Sequence, residues 1–385
     1  MADPRAAVEA GLDALERGGL RRERRVLDSP QAARIVAGGK PLLNFASNDY
    51  LGLANHPRLR AAAHEAIDRY GVGSGASPLV VGHQRPHQEA EEKFARFCGL
   101  PRALLFGSGY AANLGILTTL ADRHADVFCD KLNHACLNDG ALLSRARMVR
   151  YPHADLDALG RALAASSAST RIVASDAVFS MDGDVADVPA LVALCERHDA
   201  WLVLDDAHGI GVLGASGRGV LEHSACSSGR VVYMATLGKA LGSHGAFVAG
   251  SPLVVEWILQ RARPYIFSTA LPAMAAAAAS AALDLLEEDA GIVQALHANI
   301  ARFRAAASRL AGLRASRTAI QPIIAGSPEA ALSASRRLLE RGLLVPAIRP
   351  PTVPPGTSRL RVSLSAAHSA EDVDLLVSAL AEGAA

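Results

Sequence analysis

Short apolar runs alternate with amphipathic stretches through the middle of the chain. Each run is bounded by Gly, Asp or Ser, and helical patterns such as 188–198 lie between some of them. This alternation predicts an α/β fold in which helices cover both faces of a mostly parallel sheet. The predicted strands are 103–106, 127–129, 171–175, 201–205, 231–235 and 246–249.

The pattern changes after about Pro272. Long Ala/Leu/Arg-rich helices are predicted at 293–313 and 327–341, followed by a proline-rich loop at 349–355 and a strand at 359–365. A chain of 385 residues exceeds the usual size of a single core. We therefore predict three parts, which are a basic N-terminal helix and connector (1–45), a large α/β domain (46–285) and a small α+β domain (286–385).

Composition excludes several classes of function. The chain has 39 basic and 38 acidic residues, a balance that does not favour binding to nucleic acid or to a membrane surface. Its five cysteines form no CxxC pair, which is typical of a reduced, cytoplasmic protein. The apolar run 270–283 is too short to span a bilayer.

One lysine lies in an unusual setting. Only four of the basic residues are lysines, and Lys239 occupies a small, glycine-flanked apolar stretch, Thr236-Leu237-Gly238-Lys239, directly after a predicted strand. A lysine shielded from water loses its proton more easily and becomes a carbonyl nucleophile, which arginine cannot do. We predict that Lys239 carries pyridoxal phosphate as a Schiff base. A solvated lysine in a turn is the alternative.

Asp205-Asp206-Ala207-His208 follows the apolar strand 201–204. A carboxylate at the end of a buried strand needs a cationic partner, and the protonated pyridine nitrogen of the cofactor is one. His208 would then reach the phenolic oxygen of the same ring. An ordinary acidic strand end or a metal site are the alternatives, although no HExxH or CxxC motif supports a metal.

Gly107-Ser108-Gly109-Tyr110 joins a predicted strand to a helix. Glycines at such a position let backbone N–H groups approach a phosphate at the helix N-terminus. The segment is neither GxGxxG nor GxSxG, and taken by itself it is best interpreted as a plain glycine turn. The hydroxyl groups of Ser180 and Thr236 are candidate contacts for the cofactor.

Five further residues have a structural interpretation, and for His134, Arg349 and Arg361 a functional one stands beside it. His134 is a lone histidine after a strand, and it becomes functional only if its ring stacks on a planar cofactor. Asp182 and Asp184 are interpreted as an acidic surface turn. Arg349 and Arg361 suit a substrate carboxylate, but in a chain so rich in arginine a surface ion pair is the better interpretation of each.

Six motifs occur in an order that resembles the α-oxoamine synthases, which are pyridoxal-phosphate enzymes of the fold-type I aminotransferase class. The resemblance covers nearly the whole chain. Two C-terminal segments, 347–354 and 359–361, resemble the member that uses a pimeloyl thioester. The six motifs are Ser47-Asn48-Asp49-Tyr50-Leu51-Gly52-Leu53, Gly71-Val72-Gly73-Ser74-Gly75, Asn133-His134-Ala135, Phe179-Ser180-Met181-Asp182-Gly183-Asp184, Asp205-Asp206-Ala207-His208-Gly209 and Thr236-Leu237-Gly238-Lys239.

The resemblance implies a role for each matching residue. Lys239 would bind the cofactor covalently, Asp205 would pair with the pyridine nitrogen, and His134 and His208 would contact the ring. The rest of the cofactor site would be Gly109, Tyr110, Ser180 and Thr236. The substrate contacts would be Asn48, His134, Arg361 for the amino-acid carboxylate, and Arg21 (or Arg22), Arg349 and Thr352 for the acyl group.

The resemblance also implies a reaction and an assembly. The expected reaction is the decarboxylative condensation of L-alanine with a pimeloyl thioester, carried by coenzyme A or acyl-carrier protein, in biotin synthesis. The expected assembly is a homodimer. Glycine or serine with another acyl thioester is the alternative within the family. A non-catalytic subunit and a nicotinamide-dependent dehydrogenase are the alternatives outside it. Asp176 stands where the family often has glutamate, and Ala76-Ser77-Pro78 departs from its usual pattern, which affects the substrate side.

Overall fold

The computed structural model describes residues 3–382 and shows a large sheet covered by helices, with two small sheets beside it. The strands are β1 Arg34–Ala37, β2 Lys40–Asn44, β3 Arg102–Phe106, β4 Ala125–Asp130, β5 Arg147–Tyr151, β6 Thr170–Asp176, β7 Trp201–Asp205, β8 Val231–Thr236, β9 Ala246–Gly250, β10 Ile320–Gly326, β11 Leu343–Leu344, β12 Ala347–Ile348 and β13 Ser358–Ser363.

Fourteen α-helices are assigned within residues 3–382, and one π-helical turn, Pro78–Gly82, precedes the third of them. The helices are α1 Pro4–Arg17, α2 Pro57–Tyr70, α3 Arg85–Cys98, α4 Gly109–Leu120, α5 Ala135–Leu143, α6 Leu156–Ala164, α7 Val188–Arg197, α8 Val220–His223, α9 Pro252–Arg261, α10 Arg263–Ile266, α11 Ala273–Glu288, α12 Gly291–Ala306, α13 Pro328–Glu340 and α14 Ala370–Glu382.

The large sheet has seven strands in the order β3-β9-β8-β7-β6-β4-β5. All neighbours are parallel except β9, which is antiparallel to both β3 and β8. The predicted α/β class with a mostly parallel sheet is therefore confirmed. In a parallel sheet the carboxyl ends of the strands meet at one edge, where ligands bind. Here that edge gathers the residues that follow β4, β6, β7 and β8.

Burial on both faces explains why the strands are continuously apolar. Every residue of β4, β8 and β9 is buried, as expected for a sheet covered by helices on each side. On one face Phe94 of α3 stacks on Phe247 of β9, with ring centroids 4.5 Å apart. On the other face Ile116 of α4 and Ile258 of α9 belong to a second buried cluster.

The C-terminal region contributes strands to two three-stranded sheets. One has the order β10-β13-β12, and in the other β11 pairs with β2 from the N-terminal part of the chain. The helix predicted at 293–313 ends earlier, at Ala306, and the strand β10 was not predicted. The division into three domains stays a prediction. Within residues 3–382, no helix combines the length and the apolar character that crossing a membrane requires.

Candidate active site

A cavity of about 1030 Å³ opens at the carboxyl edge of the large sheet. Side chains of the large sheet's loops meet side chains of the C-terminal region there. Seven of the site residues predicted from the sequence line it, although they are spread over more than 300 positions. They are Asn48, His134, Ser180, His208, Lys239, Thr352 and Arg361.

Lys239 lies in a tight turn after β8. The turn closes with a hydrogen bond from the N–H of Gly242 to the carbonyl of Lys239, 2.9 Å. Gly242 has φ 63°, and a Cβ there would lie 2.5 Å from the backbone of Leu53, so only glycine fits. Lys239 Nζ lies 2.8 Å from His208 Nε2. Lys239 is therefore not the solvated lysine of a surface turn, which was the alternative considered from the sequence.

The surroundings of Lys239 favour its neutral form. Burial lowers the pKa of its ammonium group from 10.5 to about 8, against the opposing effect of the Asp205 charge. Burial also lowers the pKa of His208 well below its ordinary value, and the charges of Lys239 and Arg361 act in the same direction. An uncharged imidazole thus lies beside an amine that is easily deprotonated, as a nucleophilic lysine requires.

Asp205 ends β7 below the cavity and is 3% exposed. Its carboxylate accepts hydrogen bonds from Asn113 Nδ2 at 2.7 Å and from the N–H of Ala207 at 2.9 Å. The thiol of Cys136 lies 3.9 Å away. Among the ion pairs of residues 3–382, none involves Asp205. A buried carboxylate held only by uncharged donors is suited to a cationic ligand.

Asn113 was not singled out from the sequence. It is fully buried on α4, one helical turn after Gly109. Residues four apart lie on the same face of a helix, so the helix that presents Gly109 to the cavity edge also presents Asn113 to Asp205. The one feature of the sequence that could have indicated this role is an amide side chain in a mostly apolar helix.

His134 caps the N-terminus of α5. Its backbone N–H donates to Asp176 Oδ2 at 2.6 Å, and its Nδ1 lies 2.8 Å from the sulfur of Cys136. Burial lowers the pKa of His134. Burial, followed by the nearby Asp205 charge, raises the pKa of Asp176 well above its ordinary value. The histidine therefore presents a neutral ring to the cavity.

The start of α4 supplies donors for an anion. Ser108 caps the helix by accepting the N–H of Ala111 at 3.2 Å. The N–H groups of Gly109 and Tyr110 belong to the first turn, where no partner exists within the helix. A Cβ on Gly109 would lie 3.9 Å from Thr236 Cβ, so this turn adjoins the end of β8. The arrangement can bind a phosphate group.

Arg361 is buried on β13 and is 5% exposed, so the surface ion pair considered for it does not exist. Its Nε donates to the carbonyl of Ser180 at 2.6 Å. Its Nη1 donates to Asn48 Oδ1 at 3.2 Å and to Ser363 Oγ at 3.0 Å. The guanidinium group is thus held rigidly at the wall of the cavity.

The acidic turn at 182–184 is not a simple surface turn, which corrects the interpretation from sequence. Asp182 pairs at 2.5 Å with Arg359, whose side chain is 4% exposed. Asp184 pairs at 2.9 Å with His153, whose other nitrogen lies 3.0 Å from Asp130. These two carboxylates raise the pKa of His153 to about 10. The turn therefore ties the Ser180 loop to β13 and to the end of β4.

The residues predicted to face an acyl group are only partly brought together. Thr352 lines the cavity, and Arg22 Nη2 donates to its hydroxyl oxygen at 3.1 Å. Arg21 instead pairs with Glu16 at 2.6 Å on the surface. Arg349 donates to the carbonyl of Gly19. Of the two neighbouring arginines considered from the sequence, Arg22 is the one in contact with the loop.

A metal was one alternative considered for Asp205 and His208. Residues 3–382 contain no cluster of three or more His, Cys, Asp or Glu side chains that could hold an ion. In the structure Asp205 accepts a hydrogen bond from Asn113, and His208 Nε2 is hydrogen-bonded to Lys239 Nζ. The cavity brings together a lysine, two neutral histidines, a buried carboxylate and a fixed arginine.

Comparisons with known proteins agree with this geometry. A family model described as aminotransferase class I and II matches residues 40–380. The 8-amino-7-oxononanoate synthase of Methylobacillus flagellatus is 57% identical over 97% of this chain and 95% of its own length. The enzyme of the same name from Methylococcus capsulatus is 55% identical over 94% of each chain.

Two solved structures are similar throughout. Serine palmitoyltransferase from S. paucimobilis, with a bound PLP–myriocin aldimine, superposes with a TM-score of 0.92 at 28% identity and covers 99% of this chain and 98% of its own. The 8-amino-7-oxononanoate synthase of Francisella tularensis gives 0.77 at 30% identity and covers 89% and 97%. The chain therefore belongs to the aminotransferase class I and II family and, within it, to the α-oxoamine synthases.

Proposed function

We propose that this chain is a pyridoxal-phosphate-dependent acyltransferase that condenses L-alanine with a pimeloyl thioester, releasing carbon dioxide and forming 8-amino-7-oxononanoate for biotin synthesis. The observation that carries the proposal is Asp205, a buried carboxylate with only uncharged donors at a cavity that also holds Lys239. The names of the relatives with 57% and 55% identity support the same substrates.

The residues present fit pyridoxal phosphate. Asp205 would pair with the pyridine nitrogen, Lys239 would bind the aldehyde carbon, and the first turn of α4 at Gly109 and Tyr110 would hold the phosphate. Ser180, Thr236, His208 and the ring of His134 would complete the contacts. When bound, the cofactor supplies a carbonyl for covalent attachment of the amino acid and a ring that accepts electrons.

Side chains of the protein would bind the amino acid and transfer or hold the protons of the reaction. The Arg361 guanidinium would attract the alanine carboxylate by its charge, donate to it through the remaining N–H of Nη2, and so set the orientation of Cα. Lys239, with its low pKa, would remove the Cα proton and later return one to product. His134 would donate to the thioester carbonyl oxygen as negative charge develops there. Asp205, as a carboxylate, would hold a proton on the pyridine nitrogen throughout.

The acyl thioester would enter beside the proline-rich loop. Pro350, Pro351, Thr352 and Val353 line the cavity, and the contact between Arg22 and Thr352 places a cation at this loop. Arg22, or Arg21 after a change of side-chain rotamer, would face the anionic carrier, with Arg349 behind it. Coenzyme A and acyl-carrier protein share the phosphopantetheine group that these arginines would bind.

Exposed apolar side chains support a homodimer. The segment 76–82 lies against Ala270, whose N–H donates to the carbonyl of Ala76 at 2.9 Å. Beside this contact large apolar side chains face solvent, and burying them against a second copy would be favourable. In gel filtration with light scattering we expect twice the chain mass of 40.1 kDa. The exposed side chains are Val72 (65%), Leu79 (48%), Val80 (71%), Val81 (71%) and Phe267 (70%).

The free thiols favour a reducing compartment. All five cysteines are unpaired, and Cys129, Cys136 and Cys195 are buried. Disulfides are rare in the cytoplasm because thiols are kept reduced there. We place the enzyme in the cytoplasm, where fractionation of cells that express it should recover the activity.

Cofactor uptake should depend on pH through Lys239. Only the neutral amine attacks an aldehyde, and its fraction rises with pH until the pKa is passed. Because that pKa is about 8 and not 10.5, the rate of pyridoxal-phosphate uptake by cofactor-free protein should rise about tenfold per pH unit below pH 8 and level off above it. Stopped-flow absorbance measures this rate. A midpoint near 10.5 would contradict the burial of Lys239.

Product identification tests the proposed reaction. Loaded enzyme is incubated with pimeloyl-CoA and either alanine, glycine or serine, and products are identified by mass spectrometry. We expect 8-amino-7-oxononanoate from alanine, formed faster than any product from glycine or serine. A faster product from glycine or serine would assign the chain to another reaction of the family. No turnover with any of the three would favour the non-catalytic alternative.

A further inference from the structure

A buried hydroxyl connects the cofactor side of the cavity to the substrate side. Tyr50 is fully buried, and its oxygen has three polar neighbours. His208 Nδ1 lies 2.7 Å away, Asn48 Oδ1 3.0 Å away and Arg361 Nη2 3.3 Å away. No role was predicted for Tyr50 from the sequence, although it lies within the motif that contains Asn48.

Counting donors and acceptors determines where the protons lie. A tyrosine hydroxyl has one proton to donate and accepts through its oxygen, whereas arginine only donates. The bond from Arg361 therefore uses the oxygen as an acceptor. The atom of Asn48 that faces Tyr50 also receives Arg361 Nη1 at 3.2 Å. Because that partner only donates, the atom must be the amide oxygen, an acceptor.

All three contacts of the Tyr50 oxygen can be hydrogen bonds only when its single proton goes to Asn48. The third neighbour, His208 Nδ1, can complete the set only by donating its own proton to Tyr50. Burial raises the pKa of the Tyr50 phenol, so the hydroxyl keeps its proton, and the lowered pKa of His208 leaves its ring with one proton. With that proton on Nδ1, His208 Nε2 carries a lone pair.

We propose that Asn48, acting through the Tyr50 hydroxyl, fixes His208 as the tautomer with its proton on Nδ1, so that Nε2 faces the cofactor site as a hydrogen-bond acceptor. Both Asn48 and Tyr50 are positioning residues in this arrangement. The proposal depends on His208 belonging to the site of the proposed function, but it does not depend on which amino acid is the substrate.

The tautomer has two consequences at the site. Lys239 Nζ, 2.8 Å from Nε2, donates a hydrogen bond to the histidine, which orients the amine. An acceptor at Nε2 would also favour a phenolic oxygen that keeps its proton over a bare oxyanion. His208 would thereby hold a proton on the cofactor oxygen and would not supply one.

Nitrogen NMR of the holoenzyme tests the tautomer directly. The protein is labelled with 15N-histidine and loaded with pyridoxal phosphate, and His208 is identified among the 13 histidines as the ring whose signals vanish in His208→Gln. We expect His208 Nδ1 to show the shift of a protonated nitrogen and Nε2 that of an unprotonated one. The reverse assignment would overturn the proposal.

Substitution of Asn48 separates a positioning role from a merely structural one. In Asn48→Leu the acceptor is gone, so the Tyr50 proton turns to His208 Nδ1 and the proton of the ring moves to Nε2. Asn48→Asp keeps an acceptor of the same shape, and we expect the original tautomer. If both variants keep the proton on Nδ1, Asn48 does not fix the tautomer.

Substitution of Tyr50 tests the connecting hydroxyl. Tyr50→Phe leaves Nδ1 without a partner, so both tautomers should be populated, and kcat/KM for the best amino-acid substrate should fall about 3- to 10-fold. Tyr265→Phe, at another buried tyrosine outside the cavity, should change neither quantity. An unchanged spectrum in Tyr50→Phe would overturn the proposal. A failure of alanine as substrate would leave the spectra unaffected and would count only against the proposed reaction.

Discussion

Replacing Lys239 with alanine is expected to abolish the condensation reaction while leaving the protein folded. No other amine of the described chain is placed to take over, since Lys131 is the only further lysine that lines the cavity and it lies exposed on the rim. The lowered pKa of Lys239 shows that burial disfavours its charge. Its removal should therefore not reduce the free energy of unfolding.

Two measurements on Lys239→Ala separate chemistry from folding. Product formation from alanine and pimeloyl-CoA should fall below detection by mass spectrometry, while the urea unfolding midpoint stays at or above that of the unaltered protein. Lys40→Ala, at an exposed lysine on β2, should keep full activity. Measurable turnover by a pure preparation of Lys239→Ala would contradict the proposed role of Lys239.

Replacing Asp205 with asparagine should cause the second largest loss. The amide has the shape of the carboxylate but neither its charge nor its second acceptor oxygen, so the pyridine nitrogen and one of the two neighbouring donors lose their partner. Breaking a buried ion pair costs about 3–5 kcal/mol, which corresponds to a fall in kcat of about 10²- to 10⁴-fold. Affinity for pyridoxal phosphate should fall as well, as equilibrium titration of the cofactor-free protein would measure.

Asp206 provides a matched control for Asp205. It is the next residue, it is fully buried, and its carboxylate accepts hydrogen bonds from Tyr233 and from the N–H of Val220, both at 2.7 Å. It does not line the cavity. Asp206→Asn should therefore alter stability but not cofactor affinity. Equal losses of cofactor affinity in both variants would mean that Asp205 acts through the fold and not through the pyridine nitrogen.

Much of the site was predictable because strand ends are visible in a sequence. Asp205 and Lys239 each follow an apolar run, and parallel strands bring their carboxyl ends to one edge. The same argument places Ser180 and His134 there. Local patterns therefore place four candidate residues from four separate strands at one edge, although a functional role for His134 came only from the family resemblance.

The partners of these residues were not predictable in the same way. Asn113 and Cys136 lie inside helices, and their importance depends on which side chain of another element faces them. Most of the Tyr50 side chain is apolar, so in the sequence it is indistinguishable from an ordinary core residue. Hydrogen bonds between side chains that are far apart in the chain do not change the periodicity of apolar residues, so periodicity cannot predict them.

The ends of helices and strands are also predicted poorly from periodicity alone. The alanine- and arginine-rich pattern continues past Ala306, but the helix ends there and a turn leads to β10. Strand β10 contains Pro322 and small residues, so it lacks the apolar alternation of a typical strand. Its pairing with β13 stabilises it, which is a tertiary effect that propensity does not contain.

The amino-acid sequence by itself determined the fold class, the family resemblance and the lysine and aspartate of the proposed cofactor site, because these depend on local periodicity and on short motifs. Only the tertiary structure decided that Arg361 is a buried group at the cavity wall, that Arg22 contacts the proline-rich loop while Arg21 pairs with Glu16, and that Tyr50 joins His208 to Asn48. Such choices depend on distances between elements that chain order does not encode.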